Sequence, residues 1–157
     1  MVSYGHDIEA AWLLVEAAEV LQDKALLARL KPIVVKIADA TLAEGVDVDG
    51  AIFNAGKPDK VTDYDKEWWP QAEAVVGFLC AYQVSGDKRY LEAALKCWDF
   101  IDSHLVDRTN GEWFRGVNRE GRVLSQHLKV SFWKCPYHNS RACFEASRRL
   151  RQISGNP

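Results

Sequence analysis

The sequence predicts an all-α chain built from repeated helical hairpins. Apolar residues recur at helical spacing through most of its length. Helices arrive in pairs across short turns, and a long polar, glycine-bearing loop follows each pair. The order helix, turn, helix, loop then recurs, with leading helices near Asp7, Trp69 and Tyr137 and a period of roughly 60–70 residues. Such hairpins stack as a solenoid or close into a double ring. Either way the long loops emerge on one face, where functional residues are usually presented.

The first helix is expected from about Asp7 to Gln22, with Ile8, Ala11, Trp12, Val15 and Ala18 on one face. After the break "QDKA", a second carries Leu27, Leu30, Val34, Ile37 and Ala38 to about Glu44, and Gly45 stops it. The following stretch, "GVDVDGAIFNAGKPDKVTDYDKE", shows little period and reads as loop. A third helix opens at "WWPQAEAVVGFLCAYQ", with Pro70 tolerable in its first turn. "VSGDKR" is a turn, with Asp87 as N-cap, into "YLEAALKCWDFIDSHL". A second long loop contains a small hairpin around "NREG", and a last helix runs from about Tyr137 to Gln152.

Composition narrows the functional classes. The formal charge of −2 gives no reason to expect nucleic acid or an anionic membrane as partner. No run approaches the ~20 apolar residues of a membrane span. Cys80, Cys97, Cys135 and Cys143 fit no disulfide framework, and without a leader pattern they read as reduced thiols in a cytoplasmic protein. "CPYHNSRAC" fits no zinc spacing, and Asp47, Asp49, Asp59, Asp63 and Asp65 lack the glutamate of a calcium loop, so no metal is expected. The arginines at 141, 148, 149 and 151 read as a solvated face suited to a helix C-terminus, and His104 and His127 as structural.

Three helix heads carry the chemistry: His6 and Glu9 on the first, Trp68, Trp69 and Glu73 on the third, and His138 on the last, with Trp133 just before it. The positive end of a helix dipole favours a neutral imidazole, the form a general base needs. Two imidazoles facing each other across a pocket could take a proton from one side of a carbon and return it from the other. Glu9, three residues after His6, lies on the same helix face and could hold a tautomer or a substrate hydroxyl. Paired tryptophans offer flat walls of the kind on which sugar rings stack. A glycoside hydrolase would need two opposed carboxylates; Glu9 and Glu73 are the only pair on offer, and the histidines would then have no task.

The blocks "SYGHDIEAAWLL", "KEWWPQAEAVVGFL" and "VSFWKCPYHNSRACFE" resemble, in family order, the C-terminal part of the cellobiose 2-epimerase branch of the N-acylglucosamine 2-epimerase superfamily. The resemblance covers essentially the whole chain as one domain, 1–157. It implies an (α/α)6 barrel, six helical hairpins in a double ring, present here as an incomplete portion. It also implies cofactor-independent epimerisation at C2 of a reducing-end sugar, in an oligosaccharide or monosaccharide, through ring opening and an enediolate. The matching positions make His6 and His138 the acid/base pair and Glu9 a polar contact to substrate and histidine. They place Trp69 and Trp133 as sugar-stacking residues, with Trp68 and Glu73 as neighbouring support. The family chain is longer, so a C-terminal fragment is expected, one that needs the missing N-terminal half to act and whose apolar helix edges invite self-association. An aldose–ketose isomerase on the same scaffold and a non-catalytic sugar-binding repeat module are the competing expectations.

Overall fold

In the computed structural model, which describes residues 1–155, three helices stand side by side with two behind them. The row consists of α1 (Tyr4–Val20), α3 (Trp68–Ser85) and α5 (Tyr137–Ser154). The outer helices are α2 (Lys24–Ala40) and α4 (Lys88–Phe100). α3 packs against the other four because its sequence is apolar on every side, and residues from Trp68 to Ala81 are buried almost without interruption. α2 and α4 each bury a narrow stripe, Val34 and Ala38 on one, Tyr90, Ala93, Ala94, Cys97 and Phe100 on the other.

The helix boundaries follow local chemistry. Asp23 and Asp87 cap α2 and α4, accepting from the amides of Leu26 and Arg89 at 2.9 Å each. α3 ends at Gly86, whose φ of 75° is costly for a side chain, and its N–H donates to the Tyr82 carbonyl. Pro32 is tolerated inside α2 because it and Ala28 face water, where the unpaired carbonyl is solvated. α1 begins at Tyr4, earlier than the apolar period indicates, so His6 belongs to its first turn.

The repeat is closer than the sequence suggests. α2 and α4 both run into a π-helical turn, Thr41–Gly45 and Ile101–Leu105, and each is followed by a valine that bridges across its loop, Val46 to Ile52 and Val106 to Trp113. The stretch after Gly45 is not plain loop. It holds a hairpin of β1 (Ala55–Lys57) and β2 (Lys60–Asp63), turning at Asp59 with φ 61°. The expected turn at "NREG" forms, with the amide of Gly121 donating to the Asn118 carbonyl. β3 (Lys66–Glu67) pairs antiparallel with β4 (Gly116–Val117), stitching the two rim loops together.

Two buried lysines anchor these loops. Lys66 Nζ sits 2.8 Å from Asp47 and 2.5 Å from Asp49, so those two acids are lysine partners. Lys134 Nζ bonds Glu112 at 2.8 Å and lies over the Trp68 ring at 5.3 Å. Both lysines are fully buried, and a buried ammonium is retained only with such partners. Behind the row, α3, α4 and α5 leave an apolar groove of about 720 Å³ lined by residues such as Leu79, Leu91, Trp98 and Leu150. Among the described residues no helix is long and apolar enough to cross a membrane.

Candidate active site

The heads of α1, α3 and α5 meet at the loop end of the row, and Trp69 is their common centre. Its ring centroid lies 4.7 Å from that of His6 and 5.6 Å from that of His138. The two imidazoles therefore cannot be farther apart than those two legs combined. Close approach depends on Gly5: a Cβ there would lie 2.6 Å from the Trp69 ring and 3.0 Å from Pro70. Glu67, the residue before α3, accepts from the Trp69 side chain, and burial raises its pKa despite the opposing charge of Arg115.

Each imidazole is held by Nδ1, by a different kind of group. Ser3 occupies the N-cap position of α1 but makes no capping bond; its hydroxyl lies 2.7 Å from Nδ1 of His6 instead. Nδ1 of His138 lies 2.7 Å from Oε1 of Glu73, a side chain only 1% exposed. An ionised carboxylate only accepts, so it fixes the proton of a neutral His138 on Nδ1 and leaves the Nε2 lone pair free. His6 is exposed and His138 half-buried.

Glu73 is itself enclosed. Its Oε2 accepts from Trp12 Nε1 at 3.0 Å, and its Oε1 also accepts from Arg141 at 2.7 Å. Burial raises its pKa, but hydrogen bonds from His138, Arg141 and Trp12 outweigh this, and the net direction is down. The same guanidinium nitrogen bonds Glu9 Oε1 at 2.5 Å, and the guanidinium lies over the rings of Trp12 and Tyr137 at 5.0 and 4.5 Å. Glu9, Glu73 and His138 bring ligand-type atoms within 4.8 Å of one another, a grouping that could suit a metal ion. Arg141 already supplies the positive charge between the two carboxylates. This also weighs against a glycosidase pair, since Glu9 and Glu73 share one arginine on one side of the site and Glu73 has no exposed oxygen to offer a glycosidic bond.

The sequence-derived residues thus divide. His6, Glu9, Trp69, Glu73 and His138 converge. Trp68, 3% exposed beneath the ring cluster with Arg115 and Lys134 over its indole, is floor and not wall. Trp133 stands 78% exposed on the rim, with Phe132 edge-on at 5.2 Å. The solvated arginine face is a correction. Arg141 belongs to the site, and Arg149 is 4% exposed, bonded to Gln83 and Glu16. The spacing carried a signal for Arg149, which completes the buried row Ala142, Ala146, Arg149. Trp12 and Ser3 were also missed as site residues; Trp12 reads as core, yet its N–H bonds Glu73 and its ring lies under Arg141.

The family model of N-acylglucosamine 2-epimerase (GlcNAc 2-epimerase) matches residues 1–142. The chain belongs to this family. A cellobiose 2-epimerase of Bacteroides fragilis is 47% identical over 146 residues, covering 92% of this chain and 37% of that protein. One from Dictyoglomus turgidum is 42% identical over 150 residues, 95% of this chain and 38% of its own. A D-mannose isomerase of Marinomonas mediterranea is 31% identical over 102 residues, 64% of this chain and 26% of its own. Among solved structures, a sugar epimerase from a ruminal bacterium superposes with a TM-score of 0.88 at 40% identity, over 94% of this chain and 38% of that one. The cellobiose 2-epimerase of Spirochaeta thermophila gives 0.82 at 44%, over 97% and 38%. The fold is accordingly a portion of a helical α/α barrel, and the chain spans 37–38% of the length of these three cellobiose 2-epimerases.

Proposed function

We propose that this N-acylglucosamine 2-epimerase family chain carries two acid/base histidines of a sugar 2-epimerase, acting on the reducing-end unit of a cellobiose-type disaccharide. The observation that carries this is that His6 and His138 flank one indole, each engaged through Nδ1, so that Nε2 is the nitrogen left for a substrate. Stereochemical inversion at carbon needs two proton carriers on opposite faces. With the sugar opened to its aldehyde, one Nε2 takes the C2 proton and the electron pair moves onto the C1 oxygen as an enediolate. The other imidazole, protonated, delivers its proton to the opposite face of C2 and the carbonyl re-forms. Glu73 orients His138 and compensates the charge it gains; Glu9 stands beside the site with Arg141. Trp69 gives the sugar an apolar face, and Trp133 would close over it from the rim.

A second reading is an aldose–ketose isomerase, favoured by the similarity to a D-mannose isomerase. It uses the same enediolate and returns the proton to C1. Incubating the chain with cellobiose in deuterated water separates the outcomes by NMR. Deuterium at C2 with a glucosyl-mannose product supports the epimerase, and a ketose product supports the isomerase. Tryptophan quenching by cellobiose without any exchange would make the chain a binding module. His6→Ala or His138→Ala should abolish exchange while leaving helicity by circular dichroism unchanged.

A further inference from the structure

We infer that Arg141 is a positioning residue for His138, acting through Glu73: it holds Glu73 as a carboxylate aligned on Nδ1, and so presents Nε2 of His138 to the pocket. Arg141 lies three residues after His138 on α5, so one helix face carries both the imidazole and the cation that serves its carboxylate partner. Arg141 and His138 Nδ1 reach the same oxygen, Oε1 of Glu73, each at 2.7 Å.

The need for a cation is physical. Glu73 is 1% exposed, and its remaining donor is a neutral indole. A carboxyl so enclosed gains by taking up a proton unless a positive charge is at hand. A protonated Glu73 would become a donor. It could then bond Nδ1 as an acceptor, which moves the imidazole proton to Nε2 and removes the lone pair a base uses. Arg141 prevents that exchange. Its grip is set from several sides: Glu9 from α1, the Tyr137 hydroxyl from its own helix, and the faces of Trp12 and Tyr137 about the guanidinium. One terminal nitrogen, Nη2, serves both carboxylates while Nη1 reaches the Tyr137 hydroxyl, a spread that an ammonium would cover poorly.

The alternative is that Arg141 merely fastens α5 to α1 and α3, and the imidazole tautomer tells the two apart. His138 is assigned among the four histidines by the signal lost in His138→Gln. In the parent chain, above the imidazole titration, ring ¹⁵N shifts should show His138 predominantly as the Nδ1–H tautomer. Arg141→Met should convert it to a mixture and move the Glu73 carboxyl titration upward, with helicity retained. Arg141→Gln gives the same comparison should the methionine variant fail to fold. A folded variant with tautomer and Glu73 titration unchanged overturns the inference. The choice of Nε2 as the working atom rests on the epimerase reading, and the activity arm is separate. Where the parent exchanges C2 hydrogen, Arg141→Met should lower kcat at least tenfold with KM within twofold. A parent that exchanges nothing removes the epimerase reading for this chain acting alone and leaves the tautomer comparison to decide the role of Arg141.

Discussion

The Glu73 carboxylate reaches across 65 residues of sequence to hold Nδ1 of His138 at 2.7 Å. A contact of that kind ties the head of α5 to the first turns of α3, and the state of the carboxyl sets what the imidazole can do.

The first expectation concerns acid. Burial raises the Glu73 pKa, yet the donors around it bring it below its ordinary 4.5. A carboxyl lowered on folding adds stability that is present above that ordinary value and is lost as pH falls through the lower folded value. Urea unfolding of the parent should therefore show stability falling below about pH 4.5. Glu73→Gln should cost about 1–3 kcal/mol at pH 7 and flatten that acid limb without abolishing it, because Asp47 and Glu112 are lowered too. Parallel pH profiles for parent and variant would contradict the described environment.

Gly5→Ala tests the seating of Trp69 without touching any group that carries a proton. The added methyl would meet the indole at 2.6 Å and must push it or the head of α1 aside. Overpacking of this kind costs about 1–3 kcal/mol. Thermal unfolding should report the loss, and under the proposed function cellobiose should quench tryptophan fluorescence more weakly than in the parent. An unchanged melt would mean that the two helix heads are looser than described.

Lys134→Met should loosen the segment that leads into His138. Its ammonium is fully buried against Glu112, which also accepts from Asn139, the next residue after the histidine. Leaving that carboxylate without its cation costs about 1–3 kcal/mol. Hydrogen exchange should rise at 131–139 before it rises in α3. Uniform exchange across the molecule would count against a local anchor.

Cysteine reactivity should follow burial. Cys80 and Cys97 are buried, and burial pushes the Cys80 thiol up to about 11 and raises Cys97 as well. Cys135 and Cys143 are exposed, although partial burial also raises Cys143. A colorimetric thiol reagent at pH 8 should modify Cys135 first, Cys143 more slowly, and the other two only on unfolding. Four thiols reacting at one rate would contradict this order.

The helices were legible because their signals are local. Ile8, Ala11, Trp12 and Val15 lie on the buried face of α1, and Asp23 and Asp87 cap where capping chemistry predicts. The convergence of His6, Trp69 and His138 was readable for the same reason, since three repeated helix starts imply three heads at one end. Partners distant in sequence were not readable. Arg141 finds Glu9 132 residues away and Glu73 68 away, and its place three residues after His138 does not by itself separate it from a solvated arginine. β1 and β2 escaped because such short strands exist only through their pairing, with a shifted register that breaks the period of two. Tryptophan identity alone could not separate buried Trp68 from exposed Trp133.

The widened turns that end α2 and α4, at Thr41–Gly45 and Ile101–Leu105, give the architecture a tolerance of its own. A π-helical turn absorbs one additional residue without altering the helix before it. Insertions and deletions can thus be taken up where each outer helix returns to the rim, Gly45 lying against Tyr4 at the head of α1, while α1, α3 and α5 keep their depth. The rim loops are then free to change in length while the cluster of His6, Trp69 and His138 keeps its spacing.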